Sequence, residues 1–173
     1  MFNLPLHILI ILMLIKMKKN NFNIILFRPL IPPNTGNIIR LCSNTNSNLY
    51  LIKPLGFEVD DRSLVRAGLD YHKNVNIDIQ DTLESCIEKI GKTNLYLVTK
   101  FGKKKYSEVN FSIGDTLLFG SEVSGLPKKV IDDYGRNKSI YIPMTHDNRS
   151  LNLSNSVSIC LYEAWKQNNF KLS

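Results

Sequence analysis

The chain has 173 residues, 43% of them hydrophobic and 21% charged, with a formal net charge of +7. That length and balance fit one globular domain with a buried core and exclude a disordered chain. The positive charge invites a nucleic-acid partner, although 16 lysines against 6 arginines, beside 19 asparagines and 19 isoleucines, also match AT-rich codon drift. Cys42, Cys86 and Cys160 are scattered and form neither a CxxC pair nor a disulfide framework, which fits a reducing, cytoplasmic setting. His7, His72 and His146 stand far apart, so no metal site is expected.

Residues 1–21 read as an extension. The apolar run ILIILMLI at 8–15 is shorter than the ~20 residues a membrane span needs. Its lysines follow it, and no small-residue cleavage site appears, so it does not read as a secretory signal. A translation start at Met17 is the preferred account, and a weak membrane anchor is the alternative. Residues 22–173 read as a single domain. Short β-rich runs occur at 23–27, 49–52, 74–79, 94–99, 116–120 and 139–143, with helix-compatible segments near 35–46, 61–68, 81–91, 124–134 and 151–168. This alternation predicts an α/β domain: a mostly parallel, buried sheet flanked by helices, with ligands beyond the carboxyl ends of the strands. No GxGxxG or GxSxG is present. Gly91-Lys92-Thr93 runs from helix into strand, so it reads as a helix C-terminal turn and not a phosphate loop.

Three segments that follow predicted strands carry unusual chemistry. In RPLIPPNTGNIIRLCSNT (28–45), Pro32 and Pro33 stiffen the approach, and Asn34 or Thr35 can cap the next helix. Asn37 and Arg40 then lie one turn apart. Arg40 is either an exposed helix residue or a grip on phosphate or ribose oxygens. In FGSEVSGLP (119–127), Gly120 at a strand end allows a ligand close to the backbone. Glu122 either favours the following helix dipole or pairs with a cation or a ligand hydroxyl. In IPMTHDNRSLNLSNSVSI (142–159), Ser150, Asn152, Ser154, Asn155, Ser156 and Ser158 exceed what one helix cap uses, and the excess points to a binding loop. Leu153, Val157, Cys160, Leu161 and Ala164 follow at helical spacing. A fourth stretch, KFGKKKY (100–106), is either an RNA-tracking loop with a ring for stacking or a solvated loop.

Taken together, NTGNIIR, FGSEVSGLP and IPM…RSLNLSNSVSI resemble the three ordered motifs of the SPOUT superfamily of methyltransferases, in its 2′-O-ribose branch. The resemblance spans residues 22–170. With RAGLDYH (66–72) and no room for an extra RNA-binding domain, it is similar to the small tRNA methyltransferases acting on wobble nucleotide 34, a cytidine or a carboxymethylaminomethyluridine, of leucine tRNAs. The resemblance implies a C-terminal deep trefoil knot, an exception to the general rule. It also implies S-adenosylmethionine as cofactor and a homodimer. Val98, Gly120, Ile142 and Ser150 correspond to cofactor contacts, most of them acting through backbone and shape. Arg40 matches the catalytic arginine, and Glu122 and Asn152 match further motif residues. Ser150, Asn152 and Asn155 would serve ligand and knot as well as the cap. His72 and Tyr162 match positions implicated in tRNA handling, and Lys103 and Lys104 are candidate RNA contacts. Where many relatives carry Arg or Lys before the glycine of the second motif, this chain has Ser124, so one phosphate contact is expected to be missing.

The expected reaction is methyl transfer from the sulfonium to a ribose 2′-hydroxyl, which rests on alignment and proton removal. A guanidinium stays protonated, so Arg40 is expected to hold a phosphate and stabilise developing negative charge, in its own subunit or across the dimer. A non-catalytic tRNA- or rRNA-binding protein on the same fold, or a methyltransferase for another RNA site, is the alternative.

Overall fold

The computed structural model describes residues 21–58, 75–135, 137–145 and 150–171. The helix expected near 61–68, the segment carrying His72 and residues 1–20 of the extension lie outside them. Strands β1 (Asn23–Phe27), β2 (Asn48–Ile52), β3 (Ile77–Gln80), β4 (Leu95–Val98), β5 (Lys104–Lys105), β6 (Thr116–Phe119) and β7 (Ser139–Tyr141) form one sheet in the order β3-β2-β1-β6-β4-β7-β5. The pairings among these strands are all parallel. Helices α1 (Pro32–Asn44), α2 (Leu83–Ile90), α3 (Lys128–Tyr134) and α4 (Leu153–Gln167) cover it.

Every residue of β1 and β6 is buried, as a parallel sheet covered on both faces requires. Successive side chains point to opposite faces, and the core divides accordingly. Ile24, Leu26, Leu49, Leu51, Leu117 and Phe119 pack with Ile38, Ile39 and Cys42 of α1 and Val157, Leu161 and Ala164 of α4. Ile25, Phe27, Tyr50, Ile52 and Leu118 pack with Leu83 and Cys86 of α2, and Val130 and Ile131 of α3 lean on the same cluster. The expected α/β class and the expected buried stripe of α4 are both found.

Several boundaries differ from expectation, each for a physical reason. Helix α1 starts at Pro32, with Ile31 as N-cap and no side-chain cap bond. Two prolines in the first turn fix φ and bring no N–H of their own to satisfy, and Asn34 N donates to Ile31 O at 3.0 Å. Asn34 and Thr35 are therefore not caps, and both are buried. Strand β7 stops at Tyr141, ahead of Pro143, which has no ladder donor. Strand β5 was not expected, because two exposed lysines carry no β signal; its backbone alone pairs with β7. At α4, Asn152 is the N-cap, its Oδ1 accepting from Ser154 N at 2.9 Å and Asn155 N at 3.4 Å. The Ser156 and Ser158 hydroxyls donate back to Asn152 O (3.1 Å) and Ser154 O (2.8 Å), which accounts locally for part of the serine excess.

All three cysteines are free and buried. Burial pushes the Cys86 and Cys160 thiols up to about 12, and the Cys42 thiol up as well. Since the thiolate is the reactive form, none should react with a chromogenic disulfide reagent at pH 8 in the native protein. All three should react in guanidinium chloride. A thiol reacting at the same rate in both conditions would contradict the packing of its helix. Among the described residues no helix is long and apolar enough to cross a membrane, and no cluster of three potential metal ligands occurs.

Candidate active site

From β1 the sheet grows one way through β2 to β3 and the other way through β6, β4 and β7. Such a reversal opens a crevice at the carboxyl ends of the strands. A cleft of about 610 Å³ lies there, within the usual size for a small-molecule site. Its walls come from the ends of β4, β6 and β7, the start of α1 and the start of α4. The four residues matched to cofactor contacts, Val98, Gly120, Ile142 and Ser150, all line it, and so do Glu122 and Asn152.

The β6 end is built backbone against backbone. A Cβ on Gly120 would overlap the main chain of Gly125 and Leu126, so this position admits only glycine. The chain then turns tightly: Gly125 N donates to Ser121 O at 2.9 Å, and Gly125 sits at φ 66°, in the left-handed region that suits glycine. The Ser124 hydroxyl shares a 3.1 Å hydrogen bond with the Ser121 hydroxyl.

That turn presents Glu122 to the opposite wall. Its carboxylate accepts from Leu30 N at 2.8 Å, Ile31 N at 3.2 Å and Asn34 Nδ2 at 3.0 Å. The donors include main-chain groups just ahead of α1, which no side chain of α1 itself satisfies. Asn34 Oδ1 in turn accepts from Asn152 Nδ2 at 2.9 Å, and Asn152 Oδ1 caps α4. One chain of hydrogen bonds thus ties the three sequence segments into one wall system. Asn34, read from the sequence as a helix cap, is its middle link. The signal available in the sequence was the preceding Pro32-Pro33 pair, which removes the need for a cap and leaves the Asn34 amide to do something else.

The remaining candidates lie outside the lining of the cleft. Arg40 is on the exposed side of α1 with Asn37. Asn155 is exposed on α4, its N–H taken by Asn152. Tyr162, 44% exposed, meets Trp165 edge-to-face at 5.7 Å. Lys103 and Lys104 are exposed beside the cleft loop, while Lys100 and Phe101 line the cleft itself. Lys105 pairs with Glu108 at 3.2 Å. The Lys105 main-chain N–H and ammonium hold the Glu108 carboxyl below the usual range. His72 lies outside the described residues.

This arrangement agrees with comparison to known proteins. A protein of Yersinia pestis named tRNA (cytidine(34)-2′-O)-methyltransferase is 51% identical over 152 residues, covering 84% of this chain and 93% of its own length. A structure solved for insight into the 2-OH methylation of C/U34 on tRNA is 34% identical, with a TM-score of 0.82 over 88% of this chain and 99% of that one. The methyltransferase AviRb of Streptomyces viridochromogenes, solved with AdoMet, shares the fold at 23% identity and a TM-score of 0.76, over 87% of this chain and 59% of that one. The model of the SpoU rRNA methylase family matches residues 21–162, and the chain belongs to that family.

Proposed function

We propose that this chain is a cytoplasmic, S-adenosylmethionine-dependent methyltransferase that modifies the ribose 2′-hydroxyl of wobble nucleotide 34, a cytidine or a carboxymethylaminomethyluridine, in leucine tRNAs, and that it works as a homodimer. The observation that carries this reading is the convergence of all three motifs on one cleft through Glu122, Asn34 and Asn152. The named relatives at positions C34 and C/U34 support the nucleotide. The knot belongs to the same reading. It is supported by β7 lying on the far side of β4 while the next helix, α4, returns to pack with α1.

The cleft fits the cofactor. Gly120 lets the Gly125 and Leu126 main chain pack against β6 and so shapes a lining wall out of backbone, and Ser150 and Ser156 offer neutral donors and acceptors on the lining. Val98, Gly120, Ile142 and Ser150 would hold it. When bound, its sulfonium supplies a methyl group already activated by positive charge. What remains for the protein is to align the ribose oxygen, exclude water and stabilise the oxygen as its proton leaves. Glu122 and Asn152 serve as positioning residues, since their polar atoms hold the walls together. Arg40 holds the phosphate next to the target ribose. Its place outside the lining of its own cleft supports delivery to the partner subunit's site.

The test uses the full chain, methyl-labelled S-adenosylmethionine and tRNA from a strain without wobble ribose methylation. Label is expected as a 2′-O-methyl nucleoside at position 34. The Arg40→Ala variant should transfer at least about a hundredfold more slowly, the range for losing a positioned charge at the reacting centre, with cofactor affinity unchanged. No label from protein that binds both cofactor and tRNA would leave an RNA-binding role only. Label at another nucleotide would replace the substrate.

A further inference from the structure

The loop between β4 and β5 holds a ring that packing does not explain. Phe101 is 72% exposed at the mouth of the cleft, three residues beyond Val98, and it lines that cleft. The backbone beneath it is closely tied to β7. Gly102 lies against β7 so closely that a Cβ would overlap the main chain of Ile140 and Tyr141. Gly102 N donates to Thr99 O at 3.0 Å, Lys103 N to Ser139 O at 3.0 Å, and Phe101 N to Thr99 Oγ1 at 3.4 Å. The backbone that carries the ring is therefore pinned before anything binds, which lowers the ordering cost of using it.

Charge is arranged around the same ring. Lys100 Nζ sits 5.1 Å from its centroid. Lys103 and Lys104 are exposed and make no salt bridge among the described residues, Lys104 only adding to the field at Glu108, which pairs with the next lysine, Lys105. Among the described residues the ring's own loop thus carries three cations outside any salt bridge, one of them against the ring.

We propose that Phe101 is the platform on which a base of the RNA substrate stacks, with Lys100, Lys103 and Lys104 taking the flanking phosphates. The inference rests on the RNA-modifying role proposed above and adds to it the residue that grips a base. A π face next to several cations suits single-stranded nucleic acid, which offers a base and a phosphate at every step. Three of the expected cofactor contacts, Val98, Gly120 and Ile142, lie at strand ends and are less exposed than this ring.

Phe101→Ala removes an exposed ring from a pinned turn, so the variant is expected to fold normally. Binding to unmodified tRNA should weaken about tenfold, in the range for losing one base–aromatic stack. Phe101→Trp should restore it to within about twofold, with its added indole fluorescence quenched by tRNA and not by S-adenosylmethionine. The slope of log affinity against log salt should stay as in the parent, because the ring carries no charge. Replacing both Lys103 and Lys104 by alanine should flatten that slope by roughly one to two. A parent protein that binds no tRNA would overturn the RNA role and this inference together. A parent that binds, with Phe101→Ala unchanged in tRNA affinity, would overturn this inference alone. So would a Phe101→Ala variant that loses cofactor affinity and keeps tRNA affinity, since the ring would then belong to the cofactor site.

Discussion

Gly120→Ala should abolish S-adenosylmethionine binding by titration calorimetry and lower the unfolding free energy by about 3 kcal/mol. That is the upper end for overpacking, and the reason is the nature of the obstacle. The added methyl would meet the main chain of Gly125 and Leu126, which cannot rotate away as a side chain could. Strand β6 cannot retreat either, because all four of its residues are buried between two helix layers. The strain must pass into the turn at 121–125, which shapes one wall of the cleft and presents Glu122 to the other. Gly125→Ala is the control. No atom lies within 4 Å of a Cβ there, but φ is +66°, so its cost is the left-handed penalty of roughly 1–2 kcal/mol, with cofactor binding weakened and still measurable. Equal effects at the two glycines would show that close backbone approach is not what the site requires at Gly120.

How much of this was readable beforehand depended on the range of the interaction. The sheet and its helices were legible because hydrophobic period is local: the buried stripe Leu153, Val157, Cys160, Leu161 and Ala164 is found as expected. The expected cofactor wall also gathers in one cleft, since strand ends converge in a parallel sheet whatever their loops do. Contacts across the chain were not legible. Asn34 meets Glu122 and Asn152 from 88 and 118 residues away, and nothing near Asn34 announces either partner. For Glu122 the local reading offered a helix dipole, a cation or a ligand hydroxyl, and the donors found are two main-chain N–H groups and an amide. Strand β5 escaped for a different reason, because a two-residue strand made of lysines is defined only by the neighbour it pairs with.

The second large effect is expected at Glu122, and its logic is directional. A carboxylate only accepts. With Glu122 facing it, Asn34 must turn Nδ2 toward Glu122 and Oδ1 toward Asn152. Asn152 must then offer Nδ2 to Asn34 and Oδ1 to the N-terminus of α4, which is the observed arrangement. Glu122→Gln keeps the size and breaks the direction. One of its two head-group positions becomes a donor, facing either Leu30 N–H or the pair Ile31 N–H and Asn34 Nδ2. If Asn34 flips to accommodate it, Asn152 must flip as well, and α4 loses its cap acceptor at a cost of about 1 kcal/mol. The variant should lose about 2 kcal/mol in stability, allowing for the partial exposure of these bonds. It should also transfer methyl about a hundredfold more slowly, as expected when a wall shifts by an ångström, while KM for tRNA changes little. Thermal unfolding with single-turnover kinetics reads both. Because the links act in series, Glu122→Gln and Asn152→Ala together should cost less than the sum of the two alone. Additive costs would mean that Asn34 transmits nothing between them, and that the three cleft walls are held independently.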